Sequence, residues 1–386
     1  MLDTTLLQAC EDAAARFEVP AMAVGTASPD GMVELHAVGC ELDDRFRIAS
    51  VTKPMTASLA VQLLDLDAPT RIWPDDVRVR HLLSHMSGFD CELGDLTRFG
   101  QGDDALPAVV AELDAVPRLV GVDTVWSYAN TGYWLAGRLA AEVAGATFED
   151  ALRQSVLGPA GMANAGFEEP ELPGTGPGAS DQAYPRARRP SGGVVADVGD
   201  VIRFARWYLE QPWAAALRRV HGKPVSGVYG LGLFGERIGG VEVWGHGGST
   251  YGFQSSLVFA PDRGAVFAGL TNSGNGSRAL AEVEELWLER TVGARRPRAE
   301  TVDLPAERLE AFAGTYANAD TRTVVSPGGD GLVAEVDEEG EQFEISARPI
   351  GPAAFEIVGG PFDGDRFDFP LDGFARVGSR LVPRVA

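Results

Sequence analysis

The run FRIASVTKPMTASLAVQLL, residues 46–64, decides how the rest of the chain is read. Residues 50–65 keep helical spacing, and Pro54 suits a first turn, where no intrahelical N–H is lost. Ser50 and Lys53, three residues apart, then share one face of one turn. The positive end of the helix favours an oxyanion beside Ser50 and disfavours a protonated amine at Lys53, as burial also would. A hydroxyl and an amine so placed are the parts of an activated nucleophile. A helix N-cap serine followed by a stray lysine would spell the same four letters, so the match needs company elsewhere.

Two further elements supply it. Tyr128-Ala129-Asn130 lies in VWSYANTGYWLAGRLAAEVAG (125–145), at the entry to a helix expected over 129–144. Side chains at i and i+2 there can both project into a cleft, where a phenol relays a proton and a carboxamide donates and accepts. A packed tyrosine with a capping asparagine is the structural alternative. His246-Gly247-Gly248-Ser249 lies in VEVWGHGGSTYGF (241–253), a strand whose glycines let a ligand backbone come close. A hairpin turn would also explain it.

Around these elements the chain reads as β, then helical, then β. A helix is expected at 4–17, and a hairpin from runs 21–27 and 32–39 about Pro29-Asp30-Gly31. Helices are expected at 105–116, 147–156 and 197–210, with a Gly/Pro-rich loop at 170–193. Strands follow at 228–234, 240–245, 253–259 and 264–271, then a helix at 278–291. Early and late strands flanking a helical insert imply one antiparallel sheet, with a cleft between sheet and helices. After a polar linker at 292–300, the short alternating strands GLVAEV, QFEISARPI, AFEIVG, DRFDFP and ARVGSRLVPRV imply a small all-β barrel. The fold class is therefore α+β, with domains at 1–294 and 301–386.

Composition narrows the function. The chain has 386 residues and a net charge of −22, which disfavours nucleic acid and anionic membranes as partners. No run approaches 18 apolar residues, and the start lacks a basic, apolar leader, so a cytoplasmic protein is expected. Cys10, Cys40 and Cys91 are far apart and odd in number, fitting neither a disulfide framework nor a zinc site. His81 and His85 stand at i and i+4 but lack the glutamate of a zinc hydrolase, and His85 is expected to bond backbone near the cleft. Arg186, Arg188 and Arg189 read first as an exposed loop, with reach toward an anionic substrate as the alternative, and Asp103-Asp104 and Asp337-Glu338-Glu339 as solvated faces. The sequence calls for no cofactor or metal and fixes no oligomeric state.

Taken together and in this order, S-x-x-K, Y-x-N and H-x-G resemble the Y-x-N branch of the β-lactamase and penicillin-binding-protein family. That branch holds class C β-lactamases, serine D-aminopeptidases, DD-peptidases and β-lactamase-like esterases. The likeness extends through VRVRHLLSHMSGFD, LGPAGMANAGF, GVVADVGDVIRFARWYL, GVYGLGLF and WGHGGSTYGFQSSLVFAPDRGAVFAGLTNS, covering about 5–292. LEAFAGTYANAD and FARVGSRLVPRV resemble the lipocalin-like domain attached to several such enzymes. The resemblance implies Ser50 as nucleophile, with Lys53 and Tyr128 sharing proton transfer and Asn130 binding the acyl-side amide. It places the oxyanion hole at the N–H groups of Ser50 and Ser249, beside Gly247 and Gly248. By the same resemblance His246 would polarise Tyr128 or orient the leaving group.

The chain departs from the lactamases at K-T-G, which is H-G-G here. Gly247 has no hydroxyl for a substrate carboxylate, and the lysine becomes a histidine expected to titrate near neutrality. Both changes lean toward amides or short peptides with D-residues, acting as a D-aminopeptidase or amidase. The alternatives are a carboxylesterase with weak or no β-lactamase activity and, from another class, a β-lactam or peptidoglycan-fragment binding protein that acylates without turnover.

Overall fold

The computed structural model describes residues 3–91, 93–318, 321–338, 341–360 and 362–385. Met1 and Leu2 of the start, Ala319 and Asp320 of the tail segment, and Glu339 of the acidic run lie outside the described residues. The expected hairpin is β1 (Met22–Ala27) and β2 (Val33–Val38). A short ladder follows, β3 (Phe46–Arg47) on β4 (Val195–Ala196). β5 (Val228–Tyr229), β6 (Phe234–Ile238), β7 (Val241–Thr250), β8 (Phe253–Ala260) and β9 (Ala265–Thr271) join the hairpin in one antiparallel sheet, ordered β2-β1-β9-β8-β7-β6-β5. The run 228–234, expected as one strand, splits into the start of two. Gly232 adopts φ +82°, in the left-handed region that favours glycine, and turns the chain between them.

Helices cover both faces, so β9 in the middle of the sheet is buried at every position. α1 (Asp3–Arg16) precedes the sheet. Between β3 and β5 lie α2 (Thr52–Leu63), α3 (Val79–Leu83), α4 (Ala105–Ala111), α5 (Asn130–Ala144), α6 (Phe148–Leu152), α7 (Arg189–Gly192), α8 (Val198–Leu209) and α9 (Ala214–Leu217). α10 (Gly276–Val292) follows β9. Along β1, Met22 and Val24 pack with α1 and α10, while Ala23 packs toward the helical insert. A Cβ on Gly25 would lie 2.9 Å from Ile202 of α8, so glycine lets that helix lie close on the sheet. α2 is buried from Thr52 to Ala60 and sits between α5 and α7, which explains a helix with no polar face.

The linker after α10 is anchored. Arg296 reaches Glu236 (2.7 Å), Glu284 (2.5 Å) and Glu285 (2.8 Å). α11 (Ala306–Phe312) leads into β10 (Gly314–Ala317), β11 (Thr321–Gly328), β12 (Gly331–Glu338), β13 (Glu341–Pro349), β14 (Ala354–Val358), β15 (Arg366–Leu371), β16 (Phe374–Val377) and β17 (Arg380–Pro383). These eight strands pair in chain order as an antiparallel meander. Val385 N–H donates to Thr315 O at 2.8 Å, which nearly closes the barrel. Phe312, Tyr316, Phe355, Phe367 and Phe369 fill its interior, with Phe312 stacked on Phe369 at 4.4 Å. Burial pushes the Cys10 thiol up to about 12. Among the described residues, no helix is long and apolar enough to cross a membrane.

Candidate active site

Ser50 sits in a single 3-10 turn, Ala49–Val51, and α2 begins only at Thr52, two residues later than the sequence implies. Ala49 enters that turn at φ +45°, a conformation costly for a residue with a Cβ, so the backbone is bent sharply just before Ser50. Lys53, one turn on, is fully buried. Its Nζ donates to Ser50 Oγ (3.1 Å), Asn130 Oδ1 (2.8 Å) and Ser191 O (2.7 Å), all neutral acceptors. The Tyr128 hydroxyl donates to the same Ser50 Oγ at 2.9 Å. Lysine and tyrosine thus meet on one oxygen, and Asn130, the first residue of α5, completes the ring.

His85 fixes the segment that carries the tyrosine. Held at φ +59°, it accepts the Ala129 N–H at Nδ1 (3.0 Å) and the Ser127 N–H at its carbonyl (3.1 Å). This is the backbone role expected of it. His81 serves elsewhere: its Nδ1 accepts the Arg78 N–H and its Nε2 lies 3.2 Å from Asp123. Among the described residues no three His, Cys, Asp or Glu side chains are grouped to hold a metal.

His246 corrects one expectation. Burial, and secondly the charge of Lys53, lower its pKa from 6.5 to about 3, so it does not titrate near neutrality. Its Nδ1–H donates to Gly247 O at 2.5 Å, and Tyr128, Tyr229 and Phe234 surround its ring. His85, also buried, is lowered in the same direction. Both are neutral when folded and protonate when unfolded below about pH 6.5. Unfolding therefore takes up protons at low pH, and stability falls as pH drops from about 6.5 toward 3. The melting temperature is expected to fall across that window, and less steeply in His246→Asn. An equal slope in both proteins would place the proton uptake elsewhere.

β7 supplies the open edge. β6 pairs with it only as far as Phe234 opposite Gly245, so His246 to Thr250 have β8 on one side and the pocket on the other. A Cβ on Gly248 would stand 2.5 Å from Ile48 O and 2.9 Å from Ser50 N, whereas one on Gly247 would meet nothing nearer than Ser255 O at 3.7 Å. Gly248→Ala is expected to displace the nucleophile's turn and lower the acylation rate at least tenfold, while Gly247→Ala stays within about threefold. Stopped-flow acylation measures both, and equal effects would refute the close-approach argument.

The pocket above Ser50 has a volume of about 630 Å³ and takes one wall from the barrel: Asp365, Gly378, Ser379 and Arg380. Ser379 O accepts the N–H of Tyr128 itself (3.0 Å), and Leu381 N–H donates to Ser127 Oγ (3.0 Å). Arg376 donates to Trp126 O (2.9 Å) and Lys223 O (3.1 Å) while paired with Asp368 (2.6 Å). Sequence reasoning places ARVGSRLVPRV in the barrel but not at the pocket wall, and it missed Ser191 within the Gly/Pro-rich loop. It also misread the neighbouring arginines. Arg186 and Arg189 close on Glu149 (2.8 and 2.6 Å), and Arg188 lines the pocket.

Residues 8–290 match the model of the Beta-lactamase family, and the chain belongs to that family. It is 30% identical over 333 residues to Penicillin-binding protein 4 of Amycolatopsis lactamdurans, covering 72% of this chain and 86% of that protein. Among solved structures it resembles SurE with D-Leu, at TM-score 0.77 and 22% identity over 100% of this chain and 99% of that one, barrel included. It also resembles the D-amino acid amidase of Ochrobactrum anthropi SV3, at TM-score 0.65 and 25% identity over 74% of this chain and 99% of that one.

Proposed function

We propose that the chain is a serine hydrolase that forms an acyl-enzyme at Ser50 and cleaves small amides or peptides at a D-configured residue. One observation carries the reading: Ser50 Oγ lies within hydrogen-bond distance of both Lys53 Nζ and Tyr128 OH at a pocket floor. Whichever of the two is deprotonated takes the serine proton as Oγ bonds to the carbonyl carbon. The oxyanion meets the N–H groups of Ser50 and Ser249, donors of a kind worth about 3 kcal/mol each. The C–N bond breaks as the same proton passes to the leaving amine, and water repeats the sequence to free the acid. Asn130, whose Oδ1 accepts from Lys53, turns its Nδ2 to the role of donor toward the acyl side. The likeness to a D-amino acid amidase and to a structure holding D-Leu supports the stereochemistry. The neutral His246 leaves the K-T-G position without a cation, which favours amides over carboxylate-bearing lactams. Arg380, lining the pocket, favours a second reading in which the substrate ends in a carboxylate.

D-alanine p-nitroanilide, its L-isomer, p-nitrophenyl acetate and a chromogenic cephalosporin form the deciding panel, with intact-mass detection of the adduct. The D-anilide is expected to turn over fastest, and the adduct to vanish in Ser50→Ala. Adduct formation without turnover on every substrate would make the chain a binding protein. Cephalosporin turnover abolished by Arg380→Gln would establish the second reading.

A further inference from the structure

The catalytic pocket does not end at the reacting atoms. On the far side of His246 lies a second space of about 1180 Å³, lined by β5–β8 of the first sheet and β12–β15 of the barrel. Phe234, His246, Gly247 and Ser379 line both spaces, so the two adjoin. Asn130 and Ser191 line only the first. The larger space thus lies on the side of the pocket away from Asn130.

Resting on the amidase reading above, we propose that this interdomain space is a leaving-group subsite, and that it takes the apolar chain of a peptide attached to the departing amine. Its walls are buried apolar side chains from both domains: Val243 and Trp244 from the sheet, Ile345 and Ile357 from the barrel. Phe343 and Phe362 pair at its lining with centroids 4.9 Å apart, and Phe362 is 37% exposed, an apolar ring turned to solvent. The volume exceeds what a drug-sized ligand fills, and a single amino-acid amide would leave most of it to water. Two features select a peptide over a hydrocarbon chain. The unpaired edge of β7 beyond Gly245 offers backbone donors and acceptors to an added strand. Asp365 lines both spaces, and a carboxylate there suits a group that departs as an ammonium.

The test is chain length. D-Ala amide and the series D-Ala-Leu, D-Ala-Leu-Leu and D-Ala-Leu-Leu-Leu, each as the C-terminal amide, are assayed for release of the leaving peptide. The wild-type chain is compared with Val225→Trp and Val228→Trp. Both valines are half-buried and line only the second space. Burying one leucine side chain is worth about tenfold or more, so kcat/KM is expected to rise by that factor for each of the first leucines. Each tryptophan variant is expected to remove at least tenfold of the gain while leaving D-Ala amide within twofold. Phe362→Asp, at an exposed position that folding tolerates, is expected to cut the gain as well. A flat series overturns the subsite. So does a gain seen only when N-acyl residues lengthen the other side, or one matched by decyl esters. Turnover of D-Ala amide with a Ser50 adduct reports on the amidase reading separately, so either idea can fail alone.

Discussion

Lys53→Ala is expected to slow acylation of Ser50 by two to four orders of magnitude at neutral pH, the range for a positioned acid–base group. Single-turnover mass spectrometry reads this directly. The lysine meets the serine oxygen at 3.1 Å from a fully buried position, and the second group on that oxygen, the Tyr128 hydroxyl, lies at 2.9 Å. Tyr128 alone would have to both accept and return the proton. The alanine also strips the donor from Asn130 Oδ1 and Ser191 O, buried acceptors whose desolvation costs about 1–3 kcal/mol each when left unmet. A lower melting temperature is therefore expected. Lys53→Met keeps the volume and removes only the amine, so it should melt higher than the alanine variant yet acylate as slowly. An acylation rate within tenfold of wild type in both would take Lys53 out of proton transfer.

Arg376→Ala is expected to be the most damaging change outside the catalytic residues. The guanidinium is 4% exposed and grips Asp368 through two bonds of 2.8 and 2.6 Å, while its third nitrogen donates to Trp126 O and Lys223 O. Removing one partner of a buried pair strands the other, at about 3–5 kcal/mol. The loss also reaches the chemistry, because Trp126 stands two residues before Tyr128. A fall in kcat with KM nearly unchanged is expected, since the tyrosine's placement changes and the far pocket walls do not. Arg376→Lys keeps the charge without the fork and should fall between. Calorimetry and steady-state kinetics on the three proteins decide it. An unchanged melting temperature in Arg376→Ala would show that the pair carries nothing.

The catalytic elements were legible because each is a local backbone pattern: one helical turn for Ser50 and Lys53, one loop-to-helix entry for Tyr128 and Asn130, one glycine-bearing strand for His246. The hairpin closing on β9 followed from alternation, as did most of the barrel. What stayed hidden depends on distant contacts. Ser191 acts through its carbonyl, which no side-chain pattern reveals. The barrel's β11 carries Arg322, Ser326 and Pro327, which blur its alternation, and α11 is a short run of mixed polarity. The neutrality of His246 arises from Tyr229 and Phe234 packing on its ring, a matter of tertiary burial. The backbone bend at Ala49 has no sequence mark, since alanine gives no sign of a positive φ.

The bond from the Tyr128 amide to Ser379 sets an order of assembly. During translation the serine, the lysine and the tyrosine all emerge well before the strap at 374–383 exists. A nascent chain whose first sheet has already collapsed would own its reactive trio but not the strap that steadies it. The loop that carries Tyr128 gains this last fixed contact late in synthesis, when the second domain has wound shut against the first.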